Sequence, residues 1–139
     1  MRTGLAGSSK AVMKIQLQCK NDQRGDLIII EEQKELPFSI KRAFYVRNPK
    51  GIRGQHALRT TFLIITPVIG SLTVTTENSH QKTTFELHKP DEGLLLPPMT
   101  WSEQKKFSAN AIYLVLASEI YMPEDYIHEY EEFKKLLDD

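Results

Sequence analysis

A histidine and a leucine two residues apart, His56 and Leu58, define the chemistry that this sequence could perform. They lie in residues 51–59, which read as an extended segment. Successive side chains of a strand alternate between its faces, so positions 56 and 58 point the same way. An imidazole can move protons near neutral pH, whereas a leucine can only line a wall. The function therefore depends on what surrounds His56.

The elements that must position this pair are short strands followed by one helix. Apolar, β-branched or alternating runs predict strands over residues 27–31, 40–46, 56–68, 71–76, 83–87, 93–96 and 111–117. Residues 77–80 predict a hairpin turn. The tail differs, since Pro123 starts a segment in which Ile127, Tyr130 and Phe133 recur at helical spacing.

This pattern predicts an all-β fold, a small cupin or jelly-roll antiparallel barrel with one C-terminal α-helix. A barrel of this size can enclose one small ligand. Residues 1–13 are rich in glycine and serine and are predicted to be a disordered leader. Residues 14–139 are then one cupin domain, a size that supports a single apolar core.

Charge and cysteine content exclude several classes of partner. Eighteen basic residues balance eighteen acidic ones, which argues against nucleic acid or an anionic membrane surface as a partner. No apolar run approaches the roughly 20 residues of a membrane-spanning helix. The lone cysteine, Cys19, excludes an internal disulfide and favours a cytoplasmic location.

Short motifs occur along nearly the whole chain after Met13. They are residues 22–27, Glu31, residues 37–42, residues 53–57, Gly70-Ser71, Leu87 with Pro90, Gly93-Leu94, Pro97-Pro98 with Trp101, Phe107-Ser108, residues 116–118, Tyr121, residues 125–127 and Phe133. Each motif is weak alone, but their common order and spacing are specific. Together they resemble the nucleotide-sugar 3,4-ketoisomerase family of cupins.

The resemblance implies a metal-independent isomerase without cofactor that acts on a dTDP-linked 4-keto-6-deoxyhexose. The ketone would move from C4 to C3 through an enediol, in the biosynthesis of bacterial surface sugars such as those of lipopolysaccharide. The resemblance also implies a homodimer with exchanged N-terminal strands.

Three polar positions of the family are altered in this chain. The family pattern R-G-x-H-A-H has its first histidine at His56 and its second at Leu58. A family glutamine falls on Leu63, and a histidine that follows the motif tryptophan falls on Ser102. Two interpretations remain open. His56 could isomerise the sugar with help from Tyr45 or water, or the protein could be an impaired or repurposed cupin that binds a nucleotide sugar or a protein partner without isomerising it.

Other candidate residues also have two interpretations. Arg53 and Arg42 could bind the diphosphate, because guanidinium groups pair with phosphate oxygens, or they could pair with carboxylates of their own fold. Trp101 and Tyr45 could stack on the substrate or fill the core. No metal site is predicted, since Leu58 interrupts the histidine pair that metal-binding cupins use. His128 lies far from the motif in sequence and has no predicted role.

Overall fold

The computed structural model describes residues 11–32 and 36–138. Within these ranges the chain forms twelve strands, a short 3-10 helix at Pro123–Asp125 and one α-helix, α1 (Tyr130–Leu137). The strands are β1 (Met13–Gln16), β2 (Gln18–Asp22), β3 (Gly25–Ile29), β4 (Arg42–Arg47), β5 (Arg53–Leu58), β6 (Leu63–Ile69), β7 (Leu72–Glu77), β8 (Lys82–Leu87), β9 (Glu92–Leu96), β10 (Trp101–Lys105), β11 (Ile112–Ala117) and β12 (Tyr126–Ile127).

Two five-stranded antiparallel sheets enclose the core. The first has the order β1-β9-β6-β11-β4 and the second β12-β5-β10-β7-β8, while β2 and β3 form a separate hairpin. Their inward side chains pack together, with Leu63, Ile65 and Tyr113 from the first sheet meeting Leu58 and Val74 from the second. The predicted all-β architecture with one C-terminal helix is thus confirmed.

Two smaller apolar clusters cover the outer faces of the sheets. On the first sheet, Ile64, Leu95 and Leu116 pack under side chains from the segment that precedes β4. On the second sheet, α1 inserts the fully buried Phe133 against Trp101. The predicted apolar stripe of the terminal helix therefore packs on the barrel wall, as its spacing indicates.

Several predicted boundaries need correction. Residues 1–10 of the expected leader lie outside the described residues, and the expected boundary at residue 13 is too late. Val12 is buried in the core and Met13 pairs with Leu95. The expected long strand over residues 56–68 is two strands, β5 and β6, which belong to different sheets.

The tail and β10 also differ from expectation. The helix begins at Tyr130 rather than Pro123, because residues 126–127 pair with β5 as strand β12. Strand β10 was not predicted, since its sequence, WSEQK, is mostly polar and its alternation is hidden. It nevertheless lies between β5 and β7, with Ser102 and Gln104 buried.

A buried carboxylate fixes β12 against β5. Asp125 accepts hydrogen bonds from the Thr60 backbone N–H at 2.8 Å and from the Thr60 hydroxyl at 2.9 Å, and its second oxygen accepts one from the Thr61 hydroxyl. Its own carbonyl accepts the Arg59 N–H at 2.8 Å. Hydrogen bonds to a charged acceptor are worth about 1.5–3 kcal/mol each. The C-terminal segment is therefore firmly attached where it enters the second sheet.

Candidate active site

A β-bulge in β5 brings Arg53 and His56 to the same face of the second sheet. Residues three apart on a regular strand point to opposite faces. Here Ser102 of β10 pairs with His56, and the next residue, Glu103, pairs with Gly54, so Gln55 is an extra residue. Gly54 and Gln55 have φ values of 82° and 59°. The bulge thus changes the alternation, and the side chains of both candidate residues, Arg53 and His56, face the interior.

Glycine at position 54 is required by crowding as well as by conformation. A Cβ atom there would lie 2.9 Å from the carbonyl oxygen of Ser102 and 2.9 Å from Nε2 of Gln104. The positive φ would add strain for any other residue. The Gly54-Gln55 pair therefore permits the close contact between β5 and β10 on which the site depends.

His56 lies in a cluster of rings formed by β5 and the C-terminal segment. Its imidazole meets the Tyr126 ring edge-on at a centroid distance of 5.0 Å and the His128 ring at 6.0 Å. Tyr126 pairs with Leu58, and Ile127 pairs with Ala57. Continuing this antiparallel register by one residue places His128 beside His56. Sequence reasoning missed Tyr126 and His128 as site residues, because a two-residue strand gives no periodic signal.

Burial sets the protonation state of His56. Removal from water lowers the pKa of this imidazole to about 4, the charge of His128 acts in the same direction, and a hydrogen bond with the Gly54 backbone opposes them. His56 is therefore neutral at physiological pH. A neutral imidazole in this position can accept a proton from a bound molecule.

The three positions predicted to depart from the family pattern, Leu58, Leu63 and Ser102, are all buried. Leu58 and Leu63 are buried in the core between the sheets. Ser102 lies directly opposite His56, and its hydroxyl accepts a hydrogen bond from the Gln104 amide at 3.2 Å. On the interior face of β5, the side chain at position 56 is thus an imidazole and the side chain at position 58 is aliphatic.

The two candidate arginines differ in burial and in contacts, since Arg53 is exposed and Arg42 is half-buried. Arg53 is hydrogen-bonded to the phenol of Tyr113, a residue of the first sheet. Burial raises the pKa of Tyr113, while Arg53 opposes that rise. Tyr113 in turn stacks on Phe107 at 5.9 Å. Arg53 therefore spans the space between the sheets.

Arg42 lies near the Tyr126 side of the site. Its guanidinium carbon is 5.6 Å from the Phe44 ring and 5.7 Å from the Tyr121 ring, and Tyr121 contacts Tyr126 at 5.5 Å. Its Nε is buried and has no hydrogen-bond partner among the described residues. A buried donor without a partner is costly, so this guanidinium is suited to receive an anionic group.

Two predicted site residues lie away from His56. Tyr45 is on the outer face of the first sheet, opposite Leu114, and is 65 % exposed, so the expectation that it assists His56 is wrong. Trp101 faces outward from the second sheet, where its ring contacts Tyr130 at 5.3 Å and Phe133 at 5.6 Å. It fills the cluster under α1 instead of lining the interior, which corrects its expected contact with substrate.

Two features are absent from the described parts of the chain. No three histidine, cysteine or acidic side chains there are grouped as metal ligands. No helix in those parts has the length and apolar character needed to cross a membrane.

Comparison with known proteins identifies the family. The profile described as "FdtA: WxcM-like, C-terminal" matches residues 10–138. The chain belongs to this family. A curated relative from Aneurinibacillus thermoaerophilus, a TDP-4-oxo-6-deoxy-alpha-D-glucose-3,4-oxoisomerase, is 38 % identical over 118 residues, which cover 84 % of this chain and 85 % of the relative.

Solved structures of similar proteins agree with this FdtA-family assignment. A 3,4-ketoisomerase from Helicobacter canadensis superposes with a TM-score of 0.88 at 34 % identity, covering 92 % of this chain and 98 % of that one. A mutant of the 3,4-ketoisomerase QdtA from Thermoanaerobacterium thermosaccharolyticum, in complex with TDP-4-keto-6-deoxyglucose, gives 0.87 at 29 % identity, covering 91 % and 94 %. The predicted resemblance to 3,4-ketoisomerases is thereby confirmed.

The lowered pKa of His56 predicts a pH dependence of stability. The folded pKa of about 4 lies below the unfolded value of 6.5, so the unfolded chain binds more protons between these values. Above pH 6.5, protonation of His56 should have no effect on the free energy of unfolding. Below that pH, the free energy of unfolding should fall by up to about 3 kcal/mol as the pH approaches 4. Urea unfolding of the wild type and of His56→Gln across this range measures the difference. Equal pH dependence in the two proteins, or titration of His56 near 6.5 by NMR, would contradict it.

Proposed function

We propose that this FdtA-family protein is a 3,4-ketoisomerase of a TDP-linked 4-keto-6-deoxyhexose and that His56 is its catalytic base. The observation that carries the proposal is the partly buried, neutral imidazole on the interior face of a fold shared with 3,4-ketoisomerases. The similar QdtA protein has been solved with TDP-4-keto-6-deoxyglucose, which supports a nucleotide sugar as the ligand.

The reaction needs only proton transfers. A base removes the proton from C3, the C–H electron pair forms the C3–C4 double bond, and the C4 carbonyl oxygen gains a proton. The resulting enediol then loses the proton of its C3 hydroxyl and gains one at C4, which leaves the carbonyl at C3. The hydrogen lost at C3 is balanced by the hydrogen gained at C4, so no oxidant or reductant enters.

Arg53 and Arg42 are proposed to bind the diphosphate. Both project toward the interior, and both can make bidentate contacts to phosphate oxygens. The Tyr113 contact of Arg53 and the aromatic contacts of Arg42 hold the two guanidinium groups in place before substrate arrives. Such preorganisation reduces the entropy lost on binding.

A homodimer with exchanged N-terminal strands is the proposed assembly. Val68 on the first sheet is 50 % exposed and lines one groove with Ile28 of the β2–β3 hairpin and with Ile30. Apolar groups exposed together often mark an interface between proteins. The exposed edge of a hairpin is also a surface on which a second chain can add a strand. Location in the cytoplasm, and a role in surface-sugar biosynthesis, remain predictions.

The proposed isomerase activity first predicts turnover of a nucleotide sugar. Incubation with TDP-4-keto-6-deoxyglucose in deuterated water should give the 3-keto isomer with loss of the C3 proton signal by NMR. His56→Asn should lower kcat by at least about 100-fold, since general base catalysis contributes 10²–10⁴-fold. His88→Asn is the matched control, because His88 is an exposed histidine outside the ring cluster. Absence of both C3 exchange and product in the wild type would refute the proposed activity.

The second prediction concerns the arginines. TDP should raise the Tm of the wild type, because a ligand that binds the folded state stabilises it. Arg42→Gln and Arg53→Gln should each weaken TDP binding about 10-fold or more, through loss of charge-assisted hydrogen bonds. Arg47→Gln, a change at an exposed residue at the far end of β4, serves as the control. A TDP-induced shift that survives both test substitutions would exclude these residues as diphosphate ligands.

The third prediction concerns assembly. Light scattering after size-exclusion chromatography should give twice the chain mass of 16.0 kDa. Val68→Asp should shift the protein toward monomer, because a charge would be buried without a partner at the interface. Thr84→Asp, at an exposed position on β8 of the other sheet, should leave the mass unchanged. A monomeric wild type is incompatible with the proposed dimer.

A further inference from the structure

His56 contacts a second histidine, His128, which directly follows β12. Two inward residues at positions i and i+2 of a strand are about 6.6 Å apart, from a rise of about 3.3 Å per residue. That is the spacing a histidine at position 58 would have from His56. The His56 and His128 ring centroids are 6.0 Å apart. The two imidazoles are therefore no farther apart than the backbones of two successive inward residues on β5.

The face on which His128 lies follows from strand pairing. Tyr126 lies opposite Leu58 and packs against the inner core, whereas Ile127 lies opposite Ala57 and packs with Trp101 on the outer side. The next residue, His128, returns to the inner side beside His56. Its side chain is exposed, unlike that of His56. It thus lies between the interior and bulk water.

The position of His128 is fixed from both directions along the chain. On one side, Asp125 is bound to Thr60 and Thr61, and on the other, Phe133 of α1 is fully buried. Ile127, immediately before it, is also fully buried. The Tyr126 and His128 rings are stacked, with an interplanar angle of 10°. The backbone carrying the second imidazole is therefore held firmly against β5.

We propose that His128 is a second catalytic residue of this protein and replaces the imidazole that Leu58 cannot provide. The proposal rests on the proposed isomerase function and adds a residue to it. Comparison of positions 56 and 58 alone would indicate an impaired enzyme. The contact across the β5–β12 pair restores two imidazoles to one face.

The two histidines divide the proton transfers. His56, buried and neutral, takes the proton from C3 as the C–H electrons form the enediol double bond. Solvent gives a proton to the C4 oxygen and takes one from the C3 hydroxyl, and His128 in its protonated form gives its proton to C4, where a new C–H bond forms as the carbonyl appears at C3. His56 then returns its proton to solvent and His128 takes one up, so both start the next cycle unchanged. Because His128 is exposed to water, the hydrogen that enters C4 comes from solvent.

The test compares four proteins with TDP-4-keto-6-deoxyglucose in deuterated water: wild type, His128→Asn, His88→Asn and the double variant Leu58→His/His128→Asn. Wild type and His88→Asn should form product carrying deuterium at C4. His128→Asn should lower kcat by about 100-fold or more with little change in KM, while exchange of the C3 proton persists. The double variant should recover at least about 10-fold in kcat, because it places an imidazole at the matching distance on β5.

A structural role alone would not give this result. His128→Asn should keep the wild-type Tm to within a few degrees, and NMR should show a raised pKa for His56, because the charge of His128 lowers it in the wild type. Wild-type kcat in His128→Asn would overturn the proposal. The proposal would also be overturned if adding Leu58→His to His128→Asn restored no activity. It would likewise be overturned if Tyr126→Phe, and not His128→Asn, abolished the incorporation of deuterium at C4.

Failure of the underlying function would look different. In that case the wild type itself forms no 3-keto product, and the proposal for His128 falls with it. Failure of the His128 proposal alone leaves the wild-type reaction intact. The wild-type reaction thus separates the two results.

Discussion

The site depends on the pairing of β5 with its two neighbours. On one side, β10 meets β5 across a bulge at Gln55, which turns Arg53 and His56 to the same face. On the other side, β12 adds to the edge of β5 and carries Tyr126 and His128 to that face. A shift of one residue in either register would move these side chains to the opposite face of the sheet. The chemistry therefore follows from backbone hydrogen bonds that carry no catalytic group themselves.

Local sequence patterns could predict the architecture, because strands and turns have short-range signals. The alternation of Leu, Val and Thr in β7 and the apolar run of β11 predict strands close to where they lie. The inward direction of His56 relative to Leu58 also follows from strand alternation. Alternation could not predict the bulge, because the extra residue at position 55 is defined by pairing with β10, nearly fifty residues later in the chain.

Two candidate site residues were predicted on the wrong face of their strands, again because the contacts that decide the face are distant in sequence. Tyr45 and Trp101 are aromatic residues in strands, and sequence alone does not state which face of a strand is inward when both faces carry apolar groups. Pairing with Leu114 turns Tyr45 outward, and the packing of α1 accounts for Trp101. His128 was overlooked because β12 is two residues long and pairs with a strand about 70 positions earlier. That Leu58 departs from the family pattern stays a prediction, and the contact between the His56 and His128 rings across the β5–β12 pair bears on what that departure means.

The attachment of Asp125 to Thr60 and Thr61 has a consequence for how the molecule is made. Strands β5 to β11 are synthesised before the segment that completes the wall of the site, so a growing chain can build most of both sheets while β5 still has an open edge. The site can be completed only after β12 has been synthesised. A nascent chain that lacks β12 thus has an uncovered, adhesive strand edge beside an incomplete site, and the synthesis of β12 both covers that edge and completes the site.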